Sequence, residues 1–312
     1  MNFSKLKSVR ELPALGLLLV SCLWLIFALP SFRTAVNLGQ VAQQAGLLGL
    51  LVCGESLVII TGGIDLSVGA TAALCSCLAA SRMQAGWPWL IGIPLAIVAG
   101  GAVGYVNGVL ITVRKLPPIL TTLAMLLFLR AVTNIATASV PYNHIPEPIK
   151  AIAAGIWPFV TFLLLTAGLA VMMSQMKIGR RIVAVGASES SVRLSGVNTQ
   201  AVLRLVYLLC GACAGLAGLL MGAASNSAQA NLADGYELDV ISAVVIGGVR
   251  LSGGEGSIIG AALGALIIVV MRNALFLYGL PTEQYGLVIG AIILIAAFAE
   301  QARRSRDRVA TV

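Results

Sequence analysis

Charge is what this chain has least of. Ten percent of its residues are charged, well below the quarter or so of a soluble globular domain, and that excludes such a domain. A single histidine, His144, and 12 carboxylates in 312 residues leave no cluster at the spacing an active site or a metal needs. Neither a catalytic residue nor a metal ligand is therefore assigned. A Gly-x4-Gly-Lys-Ser/Thr phosphate loop is also missing throughout, so this chain is not itself a P-loop ATPase. All six cysteines (Cys22, Cys53, Cys75, Cys77, Cys210, Cys213) fall in apolar tracts. The redox-like spacing of Cys210 and Cys213 reads better as small packing residues on a helix in lipid.

What the chain has instead is apolar surface. Hydrophobic residues make up 59% of it and the mean hydropathy is +0.97. Charge-free tracts at Pro88–Val113, Ile156–Met173 and Leu205–Ala233 each suffice, or nearly so, to cross a hydrocarbon core of about 30 Å as helix. The fold class is thus an all-α polytopic membrane protein, one transmembrane domain over residues 1–312. About ten helices are expected, at 12–29, 38–60, 66–80, 88–112, 118–138, 156–175, 203–224, 238–249, 257–277 and 284–300. The eighth is too short to span and predicts a half-helix or re-entrant segment. The N-terminal basic start and apolar run read as a retained first helix rather than a cleaved signal. Glycines at fourfold spacing (Gly100, Gly104 and Gly108; Gly211/Gly215; Gly218/Gly222; Gly260/Gly264) predict close helix contact.

The net charge of +8 is distributed as the positive-inside rule requires, with no sign of a nucleic-acid partner. Lys5, Lys7 and Arg10 precede the first apolar tract and Arg303, Arg304, Arg306 and Arg308 follow the last. Arg114, Lys115, Lys177, Arg180, Arg181, Arg193 and Arg204 fall in two loops of the same side, which places both termini in the cytoplasm. The proline-rich segment around His144 predicts an ordered outer loop. Arg130 and Arg272, costly against lipid, should face the bundle, a cavity or a membrane surface. Asn107, Thr133 and Asn134, polar positions within apolar helices, read better as glue between helices than as a route lining.

Two segments carry the functional signal. Gly62-Gly63-Ile64-Asp65-Leu66-Ser67-Val68-Gly69 sets a carboxylate among glycines inside an apolar tract. Gly247-Gly248-Val249-Arg250-Leu251-Ser252-Gly253-Gly254 repeats it 185 residues later, matching at Gly-Gly, an aliphatic residue, Leu-Ser and the final glycine. This is a weak internal repeat of the kind that builds transporters from two halves. The expected element is a broken helix near a translocation path, formed by Gly62, Gly63, Asp65, Ser67, Gly69, Gly247, Gly248, Arg250 and Ser252. Asp65 either supports the break, as a cap or by pairing with a cation such as Arg250, or touches a passing solute. Residues 176–204 are too polar to span. Within them, 188–194 predicts a short amphipathic helix capped by Ser188 or Ser190, a docking knob for a partner or else a solvated basic loop.

Three stretches resemble one family: Thr61–Ala70 (TGGIDLSVGA), Gly179–Asn198 (GRRIVAVGASESSVRLSGVN) and Tyr236–Ser257 (YELDVISAVVIGGVRLSGGEGS). They are similar to the membrane permease subunits of bacterial ABC importers for monosaccharides, of the ribose, xylose, arabinose and galactose type. Where Ser190 and Ser191 stand, that family more often has alanine. The resemblance implies a multi-pass inner-membrane subunit that binds no cofactor. ATP would be used by a cytoplasmic ATP-binding partner, sugar would arrive from a periplasmic binding protein, and a second permease copy or paralogue would complete the pair. It also implies that 176–204 contacts the ATPase, with Gly179, Arg180, Gly186, Arg193 and Gly196 as candidate coupling residues. An ion-coupled secondary transporter of a small polar solute is the alternative, although no acidic relay accompanies Glu55 and Asp65.

Overall fold

The computed structural model describes residues 3–281, 284–287 and 290–291, with side chains from residue 11 onward. It is built from helices α1 (Phe3–Ala28), α2 (Ala35–Ile60), α3 (Val68–Gln84), α4 (Trp89–Val113), α5 (Pro118–Thr137), α6 (Glu147–Ala153), α7 (Trp157–Gln175), α8 (Lys177–Ala187), α9 (Glu189–Leu194), α10 (Thr199–Ala224), α11 (Tyr236–Ile246) and α12 (Ile258–Leu277). Two short strands, β1 (Tyr142–Asn143) and β2 (Ser227–Ala228), pair antiparallel, with Tyr142 opposite Ala228. The all-α membrane architecture is as expected. Among the described residues seven helices (α1, α2, α4, α5, α7, α10 and α12) are long and apolar enough to cross a membrane. That does not reach the expected ten. The third expected span is α3, of 17 residues, and the eighth is α11, of 11; the helix expected at 284–300 lies outside the described residues.

Helix starts follow side-chain caps. Thr34, Ser188, Asn198 and Ser257 each accept a hydrogen bond from the backbone N–H three residues on, which satisfies a donor the first turn leaves orphaned. The Asn198 cap explains why α10 starts at Thr199, ahead of the expected 203. Capping by Ser188 also fits the expected helix at 188–194. The segment just before it forms α8, which was not foreseen. Its Gly179, Ile182 and Val185 are buried while Arg180 and Arg181 are exposed, so it lies along the bundle as an amphipathic helix.

At the centre stand α2 and α10. Every residue of α2 from Gly46 to Ile60 except Leu47 is buried, and α10 packs against α4, α3 and α2. In lipid no hydrophobic force draws helices together, so close approach through small residues decides the contact. The glycine ridges do this. A methyl built on Gly100 or Gly104 of α4 would fall under 3.0 Å from the carbonyls of Gly211 or Tyr207 on α10. One built on Gly211 or Gly215 would collide in turn with the carbonyls of Gly100 or Ala96. Gly218 meets Ala72 and Gly222 meets Ser76, both on α3, while Gly264 meets Ala243 on α11. At the other end of the bundle, β1 and β2 tie the ordered proline-rich loop to the segment leading into α11.

Candidate functional site

The first glycine motif ends α2 with a defined geometry. Gly62 adopts a φ of +83°, which costs glycine little. Gly62 N–H donates to Ile59 O (2.9 Å) and Gly63 N–H to Val58 O (3.1 Å). That pair of bonds is the Schellman closure, and it satisfies carbonyls the helix end leaves free. The chain then turns into α3 around Asp65. Its Oδ1 accepts from Ser67 N–H (2.9 Å) and Ser67 Oγ–H (2.6 Å), a local turn characteristic of aspartate. Asp65 N–H donates to Glu55 Oε1 at 3.0 Å.

Four helices hold this turn. Glu55 comes from α2, and Cys210 of α10 directs its thiol at Glu55 Oε2 (3.6 Å). From α4, Asn107 Nδ2 donates to Ser67 Oγ at 3.0 Å, and from α5, Thr122 Oγ1 donates to Ile64 O at 3.1 Å. A methyl on Gly63 would lie 2.5 Å from the Tyr207 hydroxyl of α10. Asp65 is 2% exposed and Glu55 fully buried. The Asp65 carboxylate thus accepts both Ser67 donors at the break, and Ser67 makes no side-chain cap of its own.

The second motif repeats the stop but not the turn. Gly248 has φ +83°, with Gly248 N–H to Val245 O (2.9 Å) and Val249 N–H to Val244 O (3.2 Å). The structural equivalent of Gly62 is therefore Gly248, one position later than the sequence match with Gly247. Arg250 does not pair with Asp65. It lies 3.3 Å from Glu255 and donates its N–H to the Glu255 carbonyl, closing its own loop. Gly247 instead packs on α12, where a methyl would meet Gly260 at under 3.0 Å. Gly69, just inside α3, packs 2.5 Å (as a built methyl) from the Ala233 carbonyl ahead of α11.

The two motifs touch. Gly254 N–H donates to Ile60 O at 2.9 Å, and a methyl on Gly253 would lie 2.7 Å from Gly62 N. Gly186, near the end of α8, covers this junction: a methyl there would fall 2.5 Å from Gly254 N and closer still to Ile60 O. Of the five coupling-loop candidates, only Gly186 reaches the motifs. Gly179 makes the tight α7–α8 corner against Met173. Arg180 is exposed. Arg193 pairs with Glu189 on its own helix, and Gly196 follows α9 with open space around it.

Polar residues elsewhere sort differently from expectation. Asn107 is interhelical glue, but Thr133 and Asn134 bond to carbonyls of their own helix, Leu129 and Arg130. Both costly arginines face the bundle. Arg130 donates to Ala230 O and Leu232 O and lies 3.5 Å from Asp234. Arg272 pairs with Asp239 and sits over the Tyr236 ring at 5.4 Å. Together they fasten both sides of the entry into α11. Sequence reading overlooked Tyr207, Asn37 and Asn273; only their position in apolar helices could have flagged them.

Known proteins extend this picture along the chain. Residues 37–297 match the family described as "Branched-chain amino acid transport system / permease component". The chain is 35% identical over 288 residues to "Ribose import permease protein RbsC" of Escherichia coli (strain K12), covering 88% of each. It is 35% identical over 296 residues to the protein of the same name from Bacillus subtilis (strain 168), covering 93% of this chain and 92% of that one. With "D-allose transport system permease protein AlsC" of Escherichia coli (strain K12) it shares 32% over 271 residues, 85% of this chain and 83% of the relative. No solved structure matches the chain.

Proposed function

The chain belongs to the branched-chain amino acid transport system / permease component family, and from that membership we infer that it is the membrane subunit of an ATP-driven importer of a monosaccharide. The sugar passes from a periplasmic binding protein across the bacterial inner membrane, and a cytoplasmic ATP-binding subunit supplies the energy. The observation that carries the reading is full-length similarity, 35% identity over 88% of the chain, to permeases named for ribose import. A second copy or a paralogue completes the pathway, as the family resemblance implies.

The site supports this division of labour. Thr112 accepts from Arg204 Nε at 2.8 Å, so the end of α4, with Arg114 and Lys115, lies beside the start of α10. The basic helix α8 reaches the same end through Gly186. That concentration of cations supports reading this end as the cytoplasmic face. The ATP-binding partner docks there, on the exposed residues of α8 and α9, and β1, β2 and the loop into α11 face the binding protein. Nothing favours an ion-coupled carrier: Asp65 and Glu55 are engaged in holding a turn, and an ion relay would need carboxylates free to exchange ligands.

The test is reconstitution of the chain with its ATP-binding and sugar-binding partners in proteoliposomes. Uptake of a pentose or hexose is expected only with ATP inside and binding protein outside. Uptake by this chain alone, driven by a sodium or pH gradient, would overturn the reading.

A further inference from the structure

Three backbones meet at one hydrogen bond. Its acceptor is Ile60 O, one of the last carbonyls of α2 and so without a partner inside that helix. Its donor is Gly254 N–H, from the loop that follows the second motif. Directly above both atoms lies the backbone of Gly186, and the same crowding continues on either side. A methyl on Gly254 would lie 2.8 Å from Cα of Ala187, and one on Gly253 would lie 3.0 Å from the Gly186 carbonyl and 2.7 Å from Gly62 N. No side chain intervenes to absorb displacement by changing rotamer. The buried face of α8 is fixed by Gly179, Ile182 and Val185, and its outward face, with Lys177, Arg180 and Arg181, is exposed.

Taken with the importer reading, on which this rests, the geometry points to Gly186 as the positioning residue that passes movement of α8 into both glycine-broken helices at once, through the Ile60–Gly254 bond. Close-packed backbones do not deform continuously. A push on the exposed face of α8 therefore either opens the Ile60–Gly254 link or moves the two motif loops together. One contact then sets the α2–α3 and α11–α12 breaks in step, although they lie far apart in sequence. The residue acts on the solute only through these breaks and does not touch it.

The experiment uses the complete complex in proteoliposomes, measuring sugar taken up per ATP hydrolysed. Gly186→Ala is expected to lower that ratio by about tenfold, with the ATP-binding subunit still co-purifying and still hydrolysing ATP. Gly168→Ala, at a glycine of α7 with nothing within 4 Å, keeps the wild-type ratio. A methyl at position 186 also burdens folding, so a second variant acts after folding. Ala187→Cys, at a position exposed in the permease alone, is modified with methyl methanethiosulfonate in the folded permease before the ATP-binding subunit is added. The adduct should lower the ratio and a reducing agent should restore it, while unsubstituted complex treated alike is unaffected. An unchanged ratio after modification, or release of the ATP-binding subunit by either variant, would overturn the inference. A wild-type complex without ATP-dependent uptake would overturn the importer reading itself.

Discussion

Asn37 and Asn273 exchange two hydrogen bonds across the buried contact between α2 and α12: Nδ2 of Asn37 to Oδ1 of Asn273 at 3.0 Å, and the return bond at 2.7 Å. Asn37 also donates to Phe32 O at 3.0 Å. Each amide satisfies the other inside a buried contact, so the pair fixes the register of two helices from opposite halves of the chain. Replacing either by alanine strands its partner. Asn37→Ala and Asn273→Ala should each lower thermal stability, and the double variant should cost less than their sum by about 1 kcal/mol. Melting curves of the four proteins in detergent measure that coupling; additive losses would refute it.

For Asp65, support and solute contact predict different outcomes. Asparagine keeps an oxygen that accepts from Ser67, whereas alanine leaves the Ser67 N–H and hydroxyl donors buried without their acceptor. Asp65→Ala is expected to lose about 2–3 kcal/mol of stability, with Asp65→Asn losing less than half as much and still transporting. Retained melting temperature with abolished uptake in Asp65→Asn would show instead that the charge acts on the solute.

The clamp on α11 makes a prediction of a different kind. Asp239 is buried and its cation is Arg272. Removing the arginine alone leaves an uncompensated charge, which costs about 3–5 kcal/mol in buried pairs. Arg272→Leu should therefore cut the yield of folded protein severely, and Asp239→Leu combined with Arg272→Leu should recover much of it. Fluorescence-detected size-exclusion chromatography separates these outcomes. Equal loss in the single and double variants would mean that neither charge is the problem.

The glycine seam predicts a sharp dependence on position. At Gly104 a methyl has no room beside the Tyr207 carbonyl, and at Gly168 nothing lies within 4 Å. Gly104→Ala should destabilise by about 1–3 kcal/mol through forced separation of α4 and α10. Gly168→Ala should be neutral or mildly stabilising, by up to about 1 kcal/mol, because alanine is the better helix former. Heat-challenge assays on the two purified variants give the comparison.

Much of this was legible in the sequence for reasons that operate locally. Apolar length placed the long helices within a few residues except at the start of α1, which begins at Phe3 and not at 12; Ser188 announced its cap, and glycine spacing announced the seams. What escaped notice depends on partners far along the chain. The bond from Arg130 to Ala230 spans 100 residues. Arg250 is the exception, since its partner Glu255 stands in the same loop and matching the two motifs drew attention to Asp65 instead. The one-residue offset between the repeats has another origin. Letter matching aligns Gly62 with Gly247, but the left-handed position is set by where the helix runs out of partners, and Thr61 occupies in the first copy the place that Gly247 takes in the second. The amphipathic α8 escaped notice although Ile178, Ile182 and Val185 stand at helical spacing, because the basic residues among them read as a solvated loop.

The contact between α4 and α10 has a mechanical meaning beyond its tightness. At Gly100, Gly104, Gly211 and Gly215, carbonyl oxygens of one helix rest against the α-carbons of the other, with no side chain between them there to change rotamer and let one slide over the other. The two helices, drawn from different halves of the chain, are therefore expected to move together. Any widening of a passage must then happen elsewhere, between this block and elements joined to it by deformable side chains or glycine turns. The repeat in the sequence does not divide the molecule into its moving parts: the boundary between what moves and what stays runs across both halves.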